Sequence, residues 1–345
     1  ILAFFGLAPD PVDNLNIEYN GDLTLLDGIL QITIGGSMYN YSFSNFEAWT
    51  LTGGIGNNTI AAPNFTLGGV TINGGGGDDI LIGSPQNDII NGGEGDDDLT
   101  GNAGDDIING GNGDDDFIET DVQVALIDGL NINIFGAGFD TISGIENADL
   151  TADAASNLFA VFNWTSGNLI LRGNAGIGTV GVIRDADFTI TDTSISFSDG
   201  NPPITLDGIP NVIAIGGAGD NVLDGSAFTG SLTLQGGAGD DTLISGAGDD
   251  ELIGDYGVSS VTGGDDTYVF DTDSPQGNDP ITDELGNDTL DFSATSGQLQ
   301  SIDIATFGPV NGNLTLSAGA FADIENVIGG ADTDIITGNA LDNLF

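Results

Sequence analysis

The sequence predicts an all-β chain of parallel β-roll or β-solenoid arrays with flanking and intervening β-modules. Three observations carry this prediction. A nine-residue period runs without a slip from Gly74 to Ile118, one large apolar residue recurs per period, and Gly makes up 57 of 345 residues. Helix is disfavoured because apolar positions do not recur at three and four, and Gly, Asn, Asp and β-branched residues abound.

Residues 1–73 read as an N-terminal apolar strand and a β-module. The opening "ILAFFGLAPDPV" is apolar, too short to span a bilayer, and without a basic flank. Residues 74–118 form the first array: "GGGGDDILI", "GSPQNDIIN", "GGEGDDDLT", "GNAGDDIIN", "GGNGDDDFI". Residues 119–203 read as a degenerate module. Residues 204–270 hold a second module and array, "GGAGDDTLI", "SGAGDDELI", "GDYGVSSVT", closing on "GGDDTYVF". Residues 271–345 read as capping strands and a shortened last module, with Tyr268 and Phe270 expected to cover the final coil and "NDTLDFSA" at 287–294 to add a further strand. A longer period contains these arrays: residues 43–66 align without a gap to 206–229. The last block, "GNALDNLF", stops eight residues in. We therefore expect the chain to continue, to be processed, or to meet another copy of itself.

Short apolar triplets such as "ILI" and "TLI", separated by Gly and Asp, suit strands of about three residues joined by tight turns. Two blocks make one coil, so alternate blocks stack and the central apolar residue points inward, as for Leu99, Ile108 and Phe117. Stacking brings Asp79 over Asp97, Asp88 over Asp106, and Asp97 over Asp115, each pair 18 residues apart in sequence. At a strand spacing of about 4.8 Å, two bare carboxylates repel by roughly 3 kcal/mol at an effective dielectric near 20. A cation is required to hold such turns closed. Turn carbonyls and Asp oxygens are hard donors, suited to calcium far better than to zinc or copper.

These blocks follow the pattern GGxGxDxUx, and the chain resembles the RTX, or haemolysin-type calcium-binding, family over residues 74–118 and 216–270. The resemblance implies a parallel β-roll with Ca2+ between turns, on proteins exported by type I secretion. Carried over by position, the metal ligands are Asp79, Asp88, Asp97, Asp106 and Asp115, then Asp241, Asp250 and Asp266. First- and third-position carbonyls come from Gly74 and Gly76, Gly92 and Glu94, Gly110 and Asn112, and Gly236 and Ala238. Two turns depart from the pattern: "GSPQNDIIN" keeps one of its three glycines, and Ser259 stands where Asp is expected. Sites using them are expected to be weak or empty. The fifth-position acids, such as Asp78 and Asp96, read as mainly solvated.

The charge balance narrows function further. Fifty-three acids face two arginines, Arg172 and Arg184, for a net charge of -51, which disfavours nucleic acid and anionic membranes as partners. With no His, Cys or Lys, serine triads, thiol nucleophiles, Schiff bases and disulfides are excluded. The expectation is a non-enzymatic, calcium-stabilised extracellular structural protein, such as a fibre, surface layer or adhesin stalk. It would assemble with itself through uncapped solenoid ends or residues 1–12. The alternative is a calcium-dependent folding and secretion region of a larger secreted enzyme or toxin.

Overall fold

The computed structural model describes residues 14–42, 48–129, 131–135, 139–153, 157–165, 167–174, 178–255, 263–283, 285–297, 300–318 and 324–345. The segment 1–12 and Ser259 lie outside them. The described chain is all-β, and no helix in it is long and apolar enough to cross a membrane. The chain divides into two compact units, Ile1–Asp153 with Ser166–Leu169, and Ala154–Thr165 with Ile170–Phe345, a division that falls within the expected 119–203 module.

In the first unit, one sheet runs parallel through Asn14–Glu18, Ala48–Thr52, Val70–Gly76, Ile89–Glu94, Ile107–Asn112 and Phe139–Ser143. The hairpin Val124–Asp128/Asn131–Phe135 adds antiparallel strands to its end. The other sheet runs parallel through Thr59–Asn64, Ile80–Ile82, Asp98–Thr100, Asp116–Val122 and Asn147–Ala152. Each strand is laid on the one two blocks earlier, so Ile72, Ile90, Ile108 and Ile142 form one column and Leu81, Leu99, Phe117 and Ala148 the other. Alternation along a strand sends only the middle residue of each triplet inward. Leu81, Leu99, Ile108 and Phe117 are fully buried, while their neighbours Ile80 and Ile107 stay 43% and 56% exposed.

The second unit repeats this plan. Thr179–Ile183, Asn211–Ile215, Ser231–Gln235, Glu251–Ile253, Gly277–Thr282 and Leu314–Ala318 make one parallel sheet. Phe188–Thr191, Val222–Ala227, Thr242–Ile244, Thr267–Val269, Asp288–Asp291 and Ile324–Ile328 make the other. Tyr268 sits mid-column between Leu243 and Leu290, and Phe270 stacks on Phe292 at 5.5 Å. Two further parallel strands follow Thr267–Val269, so Tyr268 and Phe270 do not close the roll as expected.

The duplication reaches further upstream than the aligned segments 43–66 and 206–229. Each parallel stack of Thr59–Asn64 or Val222–Ala227 is preceded by an antiparallel hairpin, Leu23–Leu26/Ile29–Ile34 or Phe188–Thr191/Ser194–Phe197. Matching carboxylates pin both hairpins. Asp22 accepts from the Thr59 N–H and Asp187 from the Val222 N–H, at 3.1 and 2.9 Å, while Asp27 and Asp192 accept from the N–H groups of Thr66 and Thr229, both at 2.7 Å.

The narrow core makes its central side chains costly to truncate. Phe117→Ala is expected to destabilise the calcium-loaded protein by about 3–5 kcal/mol, against less than about 1 kcal/mol for the exposed Ile107→Ala. Urea unfolding in excess calcium reads both values.

Candidate metal centres

Every sixth-position acid of the two arrays that sequence selects is buried: Asp79, Asp88, Asp97, Asp106, Asp115, Asp241, Asp250 and Asp266. One carboxylate oxygen of each is tied to the backbone of the preceding coil. Asp97 Oδ1 accepts from the Asp79 N–H at 2.8 Å, and Asp115 Oδ1 from the Asp97 N–H at 3.0 Å. Asp106 Oδ1 accepts from Asp88, and Asp266 Oδ1 from Asp241. These bonds make ladders along the edges of the roll. On one edge of each unit the ladder begins on a neutral amide and ends on a glutamate: Asn58, Asp79, Asp97, Asp115, Glu146, and Asn221, Asp241, Asp266, Asp288, Glu325.

The second carboxylate oxygen divides the turns into two kinds. In five turns the second and fourth positions take positive φ: Gly75 and Gly77, Gly93 and Gly95, Asn102 and Gly104, Gly111 and Gly113, Gly237 and Gly239. Their acids, Asp79, Asp97, Asp106, Asp115 and Asp241, each keep Oδ2 buried without a hydrogen-bond partner. In four other turns the second-position N–H folds inward onto the sixth-position side chain: Gly54 onto Asn58, Ser84 onto Asp88, Gly217 onto Asn221 and Gly246 onto Asp250. Asp88 and Asp250 are thus capped by their own turns.

The open turns fit a hard cation. A Cβ on Gly74 would collide with Asp79 Oδ2 and the Gly92 carbonyl oxygen, and one on Gly92 with Asp97 Oδ2 and the Gly110 carbonyl oxygen. On Gly110 it would meet Asp115 Oδ2 and the Gly144 carbonyl oxygen, and on Gly236 it would meet Asp241 Oδ2. First-position glycine therefore keeps open a cradle lined by a carboxylate oxygen and, in the first unit, a carbonyl oxygen of the next coil. Such an all-oxygen donor set suits calcium. Third-position carbonyls lie alongside: those of Glu94 and Asn112 accept from the N–H groups of Gly77 and Gly95, at 2.8 and 2.9 Å, leaving each oxygen a second lone pair. Gly76 and Ala238 occupy the same place in their turns, their N–H groups donating to the Gly54 and Gly217 carbonyls.

Burial, reinforced by neighbouring carboxylates, raises these acids. Asp97 and Asp115 are pushed up to about 6, Asp241 to about 7, and Asp106 and Asp266 to about 8, against partial lowering by their backbone hydrogen bonds. Burial also raises Asp79, Asp250 and Asp88, the last to about 6. The fifth-position acids face outward. Asp78, Asp96, Asp105 and Asp114 are exposed and cap outer N–H groups, with Asp78 taking the Asp96 N–H at 3.2 Å and Asp96 the Asp114 N–H at 2.9 Å.

The ladders continue through residues outside the two arrays. Asp140 Oδ1 takes the Asp106 N–H, Asp279 Oδ1 the Asp250 N–H, and Asp288 Oδ1 the Asp266 N–H. Asp279 and Asp288 keep Oδ2 buried and unpartnered. Glu119, 18 residues after Gly101 and 36 after Gly83, takes the first-position place with a carboxylate and accepts from the Asn102 N–H at 3.2 Å. Insertions hide most of these: Asp106 to Asp140 spans 34 residues and Asp250 to Asp279 spans 29. The local pattern nevertheless survives around the aspartates: "FGAGFDTIS" at 135–143 has Asp140 in the sixth position, and "GNDPIT" at 277–282 and "GNDTLDF" at 286–292 keep the G-x-D-x-apolar core.

Parallel coils whose turns converge buried carboxylate and carbonyl oxygens on ion-sized gaps define a calcium-binding β-roll. Its repeats are RTX calcium-binding nonapeptide repeats: that family's model matches four times, at residues 67–90, 91–118, 211–232 and 233–257. No curated protein matches the chain.

Two outcomes follow from the turn geometry and its charges. Asp97→Asn is expected to remove a bound calcium, whereas Asp88→Asn leaves the number unchanged, as counted by isothermal titration calorimetry. The raised carboxyls bind more protons folded than unfolded between their ordinary value of 3.8 and about 6 to 8. In chelator, stability therefore falls as pH rises through that window. Calcium, which needs the ionised form, reverses the trend. Urea midpoints at pH 5 and pH 8, with and without calcium, read the sign, and a chelator midpoint higher at pH 8 contradicts it.

Proposed function

We propose that the chain is a calcium-stabilised extracellular structural protein, an element of a fibre, surface layer or adhesin stalk that folds on meeting calcium outside the cell. The observation that carries this reading is the ladder of stacked, buried carboxylates with unpartnered oxygens, present in both units. An ion-free ladder opposes its own closure, so the chain passes through a calcium-poor compartment unfolded and closes where calcium is abundant. Affinities on the order of 10⁻⁴ to 10⁻³ M, as in extracellular calcium modules, place the transition at the cell boundary. RTX repeats are typical of proteins exported by type I secretion, which supports that route here.

A scaffold rather than a catalyst suits a chain with no His, Cys or Lys, whose described residues are taken up by two units of one design. Assembly with further copies would use sheet edges, which invite strand addition. The outermost strand of one sheet, Ser37–Ser42, leaves Met38 and Tyr39 61% and 47% exposed beside the solvent edge.

Removing calcium tests the reading directly. In millimolar calcium the protein is expected to show full β circular dichroism and elongated particles in the electron microscope, and chelator is expected to abolish both together. Retention of the complete β signal in chelator would refute calcium-coupled folding. Particles that remain monomeric at all calcium concentrations would refute the assembly.

A further inference from the structure

We propose that Asp255, Asp266 and Asp283 form a calcium site of a different make-up from the nonapeptide turns, holding one ion through three carboxylates. The proposal rests on the calcium reading above and adds to Asp266 two ligands, Asp255 and Asp283, that the repeat pattern does not supply. All three side chains are buried, and they offer oxygen atoms that lie within 4.8 Å of one another. Asp266 Oδ1 is taken by the Asp241 N–H, while its Oδ2, buried and without a hydrogen-bond partner, points into the cluster. A Cβ on Gly254 would collide with Asp266 Oδ2 and the Tyr268 hydroxyl and meet Asp283 Oδ2 at 2.8 Å. That space is a cradle walled by two carboxylates and a phenol.

The register explains how the cluster arises. Ile253 pairs with Thr282, so Asp283 is placed opposite Gly254, where the preceding coil has the first-position Gly236. A carboxylate thus replaces the carbonyl donor of an ordinary turn. Asp255, one residue beyond Gly254, accepts from the Gly264 N–H at 3.0 Å and closes the third side. The Tyr268 hydroxyl donates to Asp283 Oδ2 at 2.6 Å and fixes its orientation. The three carboxylates share this buried volume with a fourth acid, Asp288, whose side chain borders Asp283 and Asp266, and both arginines of the chain are committed elsewhere: Arg172 to Asp207 at 2.7 Å and Arg184 to Asp199 at 3.3 Å. A divalent cation is the counter-charge that this geometry accepts. With more carboxylates than a nonapeptide turn, the site is expected to bind calcium at least about tenfold more tightly, since affinity rises with the number of charged ligands.

Titration of the full-length chain with calcium, and with terbium read by tyrosine-sensitised luminescence, tests the assignment, because Tyr268 borders the cradle. The D255N/D283N variant is expected to lose one calcium equivalent from the tightest class and most of the sensitised emission. D97N is expected to lose an equivalent with the emission unchanged. Tyr268→Phe should keep the count and lose the emission. An unchanged count in D255N/D283N, with β structure intact in excess calcium, overturns this site and leaves the calcium-dependent fold standing. A wild-type chain that binds no calcium overturns both. Should D255N/D283N fail to fold, Tyr268→Phe decides: unchanged emission overturns the site, and emission lost at an unchanged terbium count supports it.

Discussion

The structure depends on carboxylates stacked one strand spacing apart, with one oxygen left over in every open turn. The Oδ1 of Asp97 is held by the Asp79 N–H and that of Asp115 by the Asp97 N–H, so the turn cannot rotate its acid out to water without breaking the coil-to-coil contact. The same bond that sets the register therefore fixes a buried negative charge in place. Against it stands a core of one large side chain per nine residues, each contributing about 1.5–3 kcal/mol. Repulsion between neighbouring carboxylates is of the same size, about 3 kcal/mol at intermediate dielectric. With terms so nearly matched, an ion between the coils decides whether the roll is closed.

A ladder of like charges also needs ends. Both units start theirs on an asparagine, Asn58 or Asn221, whose amide oxygen accepts from its own turn, at Gly54 and Gly217. Both end it on a glutamate, Glu146 or Glu325, which takes the N–H of the last aspartate. Replacing the first acid by its neutral isostere keeps the hydrogen-bond pattern and drops the charge, so the terminal turn holds its shape without an ion. The capped aspartates Asp88 and Asp250 reach a similar end by another route, taking a second N–H where an open turn offers a gap. Gaps lined by an unpartnered carboxylate oxygen are thus confined to particular turns of an otherwise uniform roll.

How far this was legible in the sequence follows from how locally each feature is encoded. The nonapeptide period is local: it placed Leu99, Ile108 and Phe117 in the core and the sixth-position acids inside, because each position has one orientation per turn. The lost glycines of "GSPQNDIIN" pointed to an altered turn at Asp88, and the structure has Ser84 folded onto it. "SGAGDDELI" misled, since it keeps both turn glycines. Its first position, Ser245, carries a Cβ where Gly92 leaves the cradle open, and Gly246 turns its N–H onto Asp250 instead. Asp140 and Asp279 lie in turns that keep the local pattern, "FGAGFDTIS" and "GNDPIT", and were missed because insertions such as the hairpin Val124–Asp128/Asn131–Phe135 break the nine-residue spacing that links them to the arrays, whereas Glu119 holds a first position, where the pattern has glycine. The duplicated hairpins escaped for another reason. Alternation suffices to make a strand pair, so "DLTLLDGILQ" and "DFTITDTSIS" share little beyond the aspartates that pin them.

The shortage of basic residues belongs to the same design. A lysine or arginine beside an open turn would neutralise its aspartate permanently, stabilise the ion-free coil, and remove the requirement for calcium. The two arginines stand apart from the ladders. Arg172 pairs with Asp207 at the surface, and Arg184 lies over the Phe197 ring at 4.4 Å, donating to the Trp164 carbonyl oxygen. Both occupy the stretch where the nonapeptide pattern has decayed and Gly178 takes the sixth position. Fixed cations are kept to the part of the chain that has no ladder to neutralise, and the ladders are left to a cation that the surroundings can supply or withhold. Under the proposed function, net charge acts less as a solubility device than as the term that would make folding conditional on the calcium of the solution.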